Sequence, residues 1–301
     1  MSALVQIVIK PQQQEDLEFI YRLGLQKAKL NPDEVIDWRI RKRSLDARKA
    51  SIKLNVQLEF WKVGEVREVA QAWRAKTVNP EKKVAIIGAG PAGLYAALRA
   101  IEAGITPVVF ERGKDVRARR RDLAAINKAQ TVNPESNYCF GEGGAGTYSD
   151  GKLYTRSKKR GNVLKALEWL VHFGASDNIL VEAHPHIGTN KLPAIITAMR
   201  EAVIAHGGAV HFNAKLTDIK IENNSIKGLE INGDTWHNFS ELVLATGHSA
   251  RDIFYLLHKR GVTIAAKPFA LGVRVEHTQE LINDIQYHGD HQNPYLPPAS
   301  Y

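Results

Sequence analysis

The stretch that decides the fold reads VAIIGAGPAGLYAALRAIEAGITPVVFE and spans residues 84–111. A short apolar run leads into Gly88-Ala89-Gly90-Pro91-Ala92-Gly93, which has G-x-G-x-x-G spacing. Apolar residues at helical spacing follow, and a second apolar run ends in Glu111, 23 positions after Gly88. A strand, a glycine turn, a helix and a second strand in this order predict a βαβ unit in a parallel sheet.

The glycine spacing of this unit is typical of a dinucleotide site. Gly88 permits a tight turn, Gly90 lets the backbone approach a pyrophosphate, and Gly93 lets helix and strand pack closely. The helix that begins at Pro91 and Ala92 directs unpaired N–H groups and the positive end of its dipole at the same pyrophosphate. We therefore predict that these five residues bind a dinucleotide; the alternative is a glycine-rich turn without a ligand.

The acidic residue at the end of the second strand, Glu111, has the place of a ribose-binding carboxylate. It is expected to accept hydrogen bonds from ribose hydroxyls and to repel the 2′-phosphate of NADP. A third apolar run, residues 242–245, leads into Thr246 and Gly247, a pattern that recurs where a flavoprotein strand passes beneath its dinucleotide. Together with the βαβ unit, it resembles the glutathione-reductase-like flavoproteins over residues 83–250.

This resemblance implies an α/β fold, with a Rossmann-like FAD/NAD(P)-binding sheet and a β-meander. It implies FAD rather than NAD at the fingerprint. It also places the backbone of Leu216 beside the adenine, and Arg112, Thr246 and Gly247 among the cofactor-binding residues.

A second glycine-rich stretch, residues 141–151, has five glycines in eleven residues. Glycine lets main-chain amides approach a phosphate, a ribityl chain or a flavin edge at distances that a Cβ would forbid. Gly143, Gly144 and Gly146 are the predicted points of approach. The alternative is a mobile surface loop whose glycines only avoid strain.

Longer motifs indicate a narrower family. Together they resemble the uncharacterised bacterial FAD-dependent dehydrogenases, also described as NAD(FAD)-utilizing dehydrogenases. The resemblance implies an FAD-dependent oxidoreductase that transfers a hydride between an unknown substrate and FAD. NAD(P)H would be a transient electron donor, since no second fingerprint is visible. The motifs are KRSLDARK (42–49), GEGGAGTYSDGKL (141–153), HIGTNKLP (186–193), GHSARDIF (247–254) and KPFALGVRVEH (267–277).

The end of the chain departs from the flavoproteins that it resembles. Such proteins carry a second FAD-contacting element, a strand that runs into a helix start containing Gly-Asp, and residues 247–301 contain no such element. We therefore expect a chain truncated at its C-terminus, and such a truncation would weaken its retention of FAD. A non-catalytic dinucleotide-binding fragment is one alternative function, and a flavin-dependent RNA-modifying protein is another.

Three residues are candidate catalytic residues. Lys152 could stabilise an anionic reduced flavin, and His248 could be a proton donor or a partner of the local backbone. Cys139 is the single cysteine of the chain, so it cannot form a redox-active dithiol, and a half-buried structural thiol is the preferred interpretation. Ser249 is expected to be the N-cap of a helix that begins immediately after it in the sequence. No metal-ligand set is predicted.

Composition limits the remaining possibilities. The net charge of +9 permits an acidic partner, but the basic runs at 39–43 and 117–121 lack interleaved aromatic residues and are expected to be solvated faces. A small-molecule substrate is the expected partner, without nucleic acid or membrane, and no feature indicates an oligomeric state. With no apolar span and no secretory leader, the expected location is cytoplasmic.

A polar stretch at residues 75–83 divides the chain in two. Residues 1–78 are predicted to form a small α+β accessory domain. Residues 83–301 are predicted to form the FAD-binding Rossmann-like domain, with the start of a substrate or cap region.

Overall fold

The computed structural model describes residues 2–66, 72–155, 161–188, 190–269, 271–273, 275–290 and 292–299. Within them, the strands form two three-stranded antiparallel sheets and one four-stranded parallel sheet. No helix in the described part of the chain has the length and apolar character needed to cross a bilayer.

The N-terminal sheet has the strand order β1-β3-β2 and carries helix α1 on one face. Alternate residues of β3 point to that helix, and Val56, Leu58 and Phe60 are fully buried there with Ile20 of the helix. This period of two is the pattern of a sheet with one covered face. The elements are β1 (Ala3–Ile9), α1 (Leu17–Ala28), β2 (Val35–Asp46) and β3 (Lys53–Lys62).

The outer edge of β2 pairs with a distant segment. The Arg43 N–H donates to the Val181 carbonyl at 2.7 Å, and the Ala183 N–H donates to the Arg43 carbonyl at 2.9 Å. The Arg43 guanidinium lies 2.6 Å from a carboxylate oxygen of Glu182. Residues 181–183 therefore join the N-terminal sheet to the rest of the chain.

The parallel sheet has the order β10-β4-β5-β6, with the fingerprint strand β4 inside it. Strand β4 begins at Asn79, so residues 79–83, expected in the linker, already belong to the sheet. The division of the chain near residue 78 stays a prediction. The strands are β4 (Asn79–Ile87), β5 (Ile105–Phe110), β6 (Ala209–His211) and β10 (Leu242–Leu244).

Both faces of the parallel sheet are covered. On one face, Ile86 and Val109 pack against α2, α4 and α5. On the other, Ile87 and Phe110 pack against the antiparallel β7-β8-β9 meander and α6. The remaining elements are α2 (Pro91–Glu102), α3 (Val116–Ala129), α4 (Val163–His172), α5 (Leu192–Ala205), β7 (Leu216–Glu222), β8 (Ser225–Ile231), β9 (Thr235–His237), α6 (Arg251–Lys259) and α7 (Gln279–Tyr287).

The predicted fold class is thus confirmed: an α/β Rossmann-like sheet with a β-meander and a small N-terminal α+β unit. In such sheets, ligands bind outside the carboxyl ends of the strands. That edge is where β4, β5 and β10 end, at Ile87, Phe110 and Leu244.

Candidate functional site

A cleft of about 470 Å³ lies at the carboxyl ends of β4, β5 and β10. It is bounded by the fingerprint turn, part of the second glycine-rich stretch, the start of β7 and the segment after β10. Most of the predicted cofactor and catalytic residues line it. They are Gly88, Gly90, Pro91, Ala92, Glu111, Arg112, Cys139, Gly144, Leu216, Thr246, Gly247 and His248.

The fingerprint turn presents bare backbone to this cleft. Gly90 precedes the first residue of α2, and a Cβ on it would meet nothing closer than Gly144 Cα, at 3.8 Å. The first N–H groups of α2 have no partner within the helix. Gly93 lies outside the lining, but a Cβ there would collide with the Gly88 carbonyl, so it serves the close packing of helix and strand. The geometry fits an extended diphosphate at Gly90.

Glu111 is buried, and its carboxylate binds three backbone N–H groups. One oxygen accepts from Ala89 at 2.7 Å, and the other accepts from Gly113 at 2.8 Å and Gly141 at 3.0 Å. The side chain therefore ties together the fingerprint, the turn after β5 and the second glycine-rich stretch. A carboxylate has about four acceptor positions, so room for a ribose hydroxyl remains, and the ribose contact stays a prediction.

The second glycine-rich stretch packs on the fingerprint turn. The Gly143 N–H donates to the Ala89 carbonyl at 2.8 Å. The Cα of Gly143 faces Thr147 and Ile196 in the interior, and neither Gly143 nor Gly146 lines the cleft. Of the three predicted points of approach, the structure brings only Gly144 to the cleft.

Arg119 organises this stretch from inside the protein. The residue is 1% exposed, which corrects its assignment to a solvated basic face. A Cβ on Gly141 would collide with Arg119 Cδ, so that glycine makes room for the arginine. The guanidinium donates to six oxygens, the carbonyls of Asn137, Tyr138, Gly141, Glu142 and Gly144 and the Thr147 hydroxyl.

The sequence contains a signal for this burial. Val116, Arg119 and Leu123 are the buried residues of α3, and their spacing of i, i+3 and i+7 marks one face of a helix. Because the middle residue, Arg119, is charged, this helical spacing is missed when only apolar residues are counted.

Glu142 is the second buried charge of the stretch. It has no exposed surface, and one carboxylate oxygen accepts from the Val116 N–H at 2.7 Å and from Arg200 at 3.1 Å. Burial raises the pKa of the Glu142 carboxyl above its ordinary value, against the lowering effect of these two partners. The contacts join the stretch to the start of α3 and to α5.

Four charged side chains form a network beside Leu216. Arg112 contacts Glu135 at 2.6 Å and Asp252 at 3.0 Å, and Lys215 contacts the same carboxylates at 2.7 and 3.6 Å. Burial alone would lower the pKa of the Arg112 guanidinium, but its hydrogen bonds to Asp252 and Glu135 raise it. Arg112 and Lys215 also line the cleft, so this end of it is bounded by fixed cations.

The catalytic candidates occupy different environments. His248 lines the cleft and is exposed, as is Cys139, so the expectation of a half-buried thiol is wrong. Lys152 is 78% exposed, lies 3.9 Å from Asp150, and does not line the cleft. Their catalytic roles stay predictions.

The expected N-cap at Ser249 is also wrong. Helix α6 begins at Arg251, and its N-cap is Ala250, which has no polar side chain. Asp252 in the first turn instead contacts Arg112 and Lys215. These contacts tie the first turn of α6 to the charged network.

Three protein-family descriptions match parts of the chain. Residues 83–131 match an FAD binding domain, which covers the second half of β4, the fingerprint, Glu111 and α3. FAD is the cofactor that this match supports. Residues 1–61 match a domain of unknown function (DUF8436), and residues 268–301 match the description "FAD-dependent protein, C-terminal domain-like".

A curated relative from Clostridium beijerinckii (strain ATCC 51743 / NCIMB 8052), described as an uncharacterized protein, is 36% identical over 304 residues. The match covers 95% of this chain and 56% of the relative, so the chain spans little more than half of that protein's length.

Solved structures show weaker similarity. Thermovibrio ammonificans THI4 is 20% identical, with a TM-score of 0.40, over 60% of this chain and 64% of that one. Glycine oxidase from Bacillus cereus ATCC 14579 is 17% identical, with a TM-score of 0.31, over 60% and 58% of the two chains.

Proposed function

We propose that this chain is the FAD-binding part of a flavin-dependent oxidoreductase, and that it belongs with the uncharacterised bacterial FAD-dependent dehydrogenases. One observation carries the proposal. The cleft joins the fingerprint turn, the ribose-binding position at Glu111 and the backbone of residues 245–247 along one sheet edge, which is the arrangement that an extended dinucleotide requires.

Each part of the cleft has a role in this proposal. Gly90 and the N-terminus of α2 would hold the diphosphate, because bare backbone and unpaired N–H groups meet there. Glu111 would hold the ribose, and Leu216 would lie beside the adenine. Bound FAD would supply hydride transfer at its flavin ring, near Thr246, while the protein sets orientation and electrostatics.

The reaction partners form the second part of the proposal. The substrate is a small molecule, and a nicotinamide nucleotide is the transient electron donor. The exposed His248 lies in the cleft wall, where it would move a proton to or from a substrate. Because the chain spans 56% of its curated relative, the whole protein's activity and substrate are part of this proposal.

The test is a visible absorbance spectrum of the purified chain, with the released cofactor identified by chromatography. Gly90→Glu places a carboxylate on the diphosphate path and is expected to abolish FAD binding. Gly272→Glu is the matched control, because it places the same side chain on an exposed glycine that does not line the cleft and where a Cβ would meet no atom within 4 Å.

Tight FAD in the parent and in Gly272→Glu, lost in Gly90→Glu, would support the proposal. Anaerobic addition of NADH to the FAD-loaded parent should then bleach the flavin band. A folded parent that does not bind added FAD would contradict the proposal. Equal FAD binding by all three proteins would show that the diphosphate does not lie at Gly90.

A further inference from the structure

Helix α3 carries a buried cation that the proposed function leaves without a role. All six hydrogen bonds of the Arg119 guanidinium go to neutral oxygens. Among the described residues, no carboxylate oxygen lies within 4.0 Å of a guanidinium nitrogen of Arg119, the limit for an ion pair. Burial lowers the pKa of this guanidinium from its ordinary value, but arginine stays charged in proteins.

This charge lies directly behind the lining of the cleft. Gly141 and Gly144 both line the cleft, and their carbonyl oxygens accept from Arg119 Nη1 at 3.4 and 2.8 Å. Gly144 also lies against the fingerprint, where a Cβ on it would sit 3.2 Å from Pro91 Cδ. The guanidinium therefore lies directly beneath Gly144, the residue that faces the start of α2.

The hydrogen bonds also fix the direction of the backbone dipoles. Five carbonyl groups between Asn137 and Gly144 point to Arg119, which means that their negative ends point into the protein. Carbonyl oxygens turned to the cleft would repel an anion, whereas inward carbonyls leave positive potential at the surface. Burying a charge is costly. The carboxylates of Glu111 and Glu142 offset part of this cost from beyond ion-pair distance, and an anion in the cleft would offset more of it.

We propose that Arg119 is a positioning residue for the diphosphate of the cofactor. It turns five carbonyls between Asn137 and Gly144 away from the cleft and sets a positive charge behind Gly141 and Gly144. The inference rests on the proposed function, because it takes the anion in the cleft to be the diphosphate of FAD. Arg119 acts through the glycine-rich stretch and does not touch the ligand.

The test compares a charged and an uncharged ligand. Binding of ADP and of adenosine is measured by competition with FAD for the parent, Arg119→Gln and Arg119→Lys. Arg121→Gln is the matched control, because it removes the same charge from an exposed position of the same helix. Far-UV circular dichroism and a cooperative thermal melt establish that each variant is folded.

Arg119→Gln is expected to weaken ADP binding by about tenfold or more, as for the loss of one charge interaction inside a protein. Adenosine binding should change less than about threefold, because adenosine carries no phosphate. Arg119→Lys keeps the charge but offers three donors instead of five, so its loss of ADP affinity should be smaller. Arg121→Gln should match the parent for both ligands.

Equal losses for ADP and adenosine would overturn the proposal and leave Arg119 a purely structural residue. Unchanged ADP affinity in folded Arg119→Gln would overturn it as well. If Arg119→Gln does not fold, Arg119→Lys decides by the same comparison: selective loss of ADP supports the proposal, and no loss or an equal loss refutes it. A parent that binds neither ADP nor FAD would refute the proposed function itself.

Discussion

Replacing Glu111 by glutamine tests whether one carboxylate holds the walls of the cleft together. Its two oxygens bind the N–H groups of Ala89, Gly113 and Gly141. A glutamine keeps one acceptor oxygen and places an NH₂ group opposite the remaining donor. If the amide oxygen stays with Gly113 and Gly141, the Ala89 N–H loses its acceptor in a buried position.

The structure sets the size of the effect. A buried donor left without an acceptor costs roughly 1–3 kcal/mol, and each of the two retained bonds loses about 1 kcal/mol when its acceptor loses the charge. Glutamine avoids the cost of burying a charged carboxylate, and this gain offsets part of the lost stability. We expect Glu111→Gln to lower the free energy of unfolding by about 3 kcal/mol, which corresponds to a fall of about 1 M in the urea midpoint for a chain of this size.

The assay is urea unfolding followed by tryptophan fluorescence, with hydrogen exchange measured at residues 88–93 and 141–147. Glu15→Gln, an exposed carboxylate, is the control and should leave the midpoint unchanged. Exchange in both segments should accelerate in Glu111→Gln, because both lose their shared anchor. A midpoint within about 0.2 M of the parent, with unchanged exchange, would refute the anchoring role.

Two further predictions concern the cleft and its support. The exposed Cys139 lines the cleft, so a thiol reagent should modify it readily in the cofactor-free chain and more slowly with FAD bound; equal rates would place FAD elsewhere. Burial raises the pKa of Glu142, so its contribution to stability is full below the pKa of the unfolded chain and is lost as pH rises through the folded pKa. Glu142→Gln should therefore gain stability relative to the parent as pH rises above about 4.3, the ordinary pKa of glutamate, and urea midpoints of the two proteins that run parallel above this pH would contradict the raised pKa.

The sequence predicted the centre of the fold because local spacing and tertiary structure agree there. The fingerprint needs a strand, a turn and a helix in immediate succession, and Glu111 follows at the end of the next strand. The structure has this succession in β4, α2 and β5. It also places Glu111 in the cleft wall, at the position that the spacing indicates.

Predictions failed where distant segments determine the environment of a residue. Arg119 lies in a run of basic residues, and its burial depends on acceptors between Asn137 and Thr147, in a separate segment of the chain. Ser249 has a good capping side chain, but α6 begins at Arg251, and Asp252 in its first turn contacts Arg112 from a distant segment. Cys139 is exposed, and the carbonyl of its neighbour Tyr138 accepts a hydrogen bond from Arg119. Each outcome depends on contacts between segments that sequence spacing does not specify.

The backbone pairing between Arg43 and residues 181–183 bears on how this protein can be dissected. Two hydrogen bonds and an ion pair cross between segments about 140 positions apart in sequence. Cutting the gene in the polar linker would leave the outer edge of β2 unpaired in one fragment and the 181–183 segment unpaired in the other. Open strand edges promote association with other chains. Co-expression of the two halves is therefore the safer way to study the N-terminal unit.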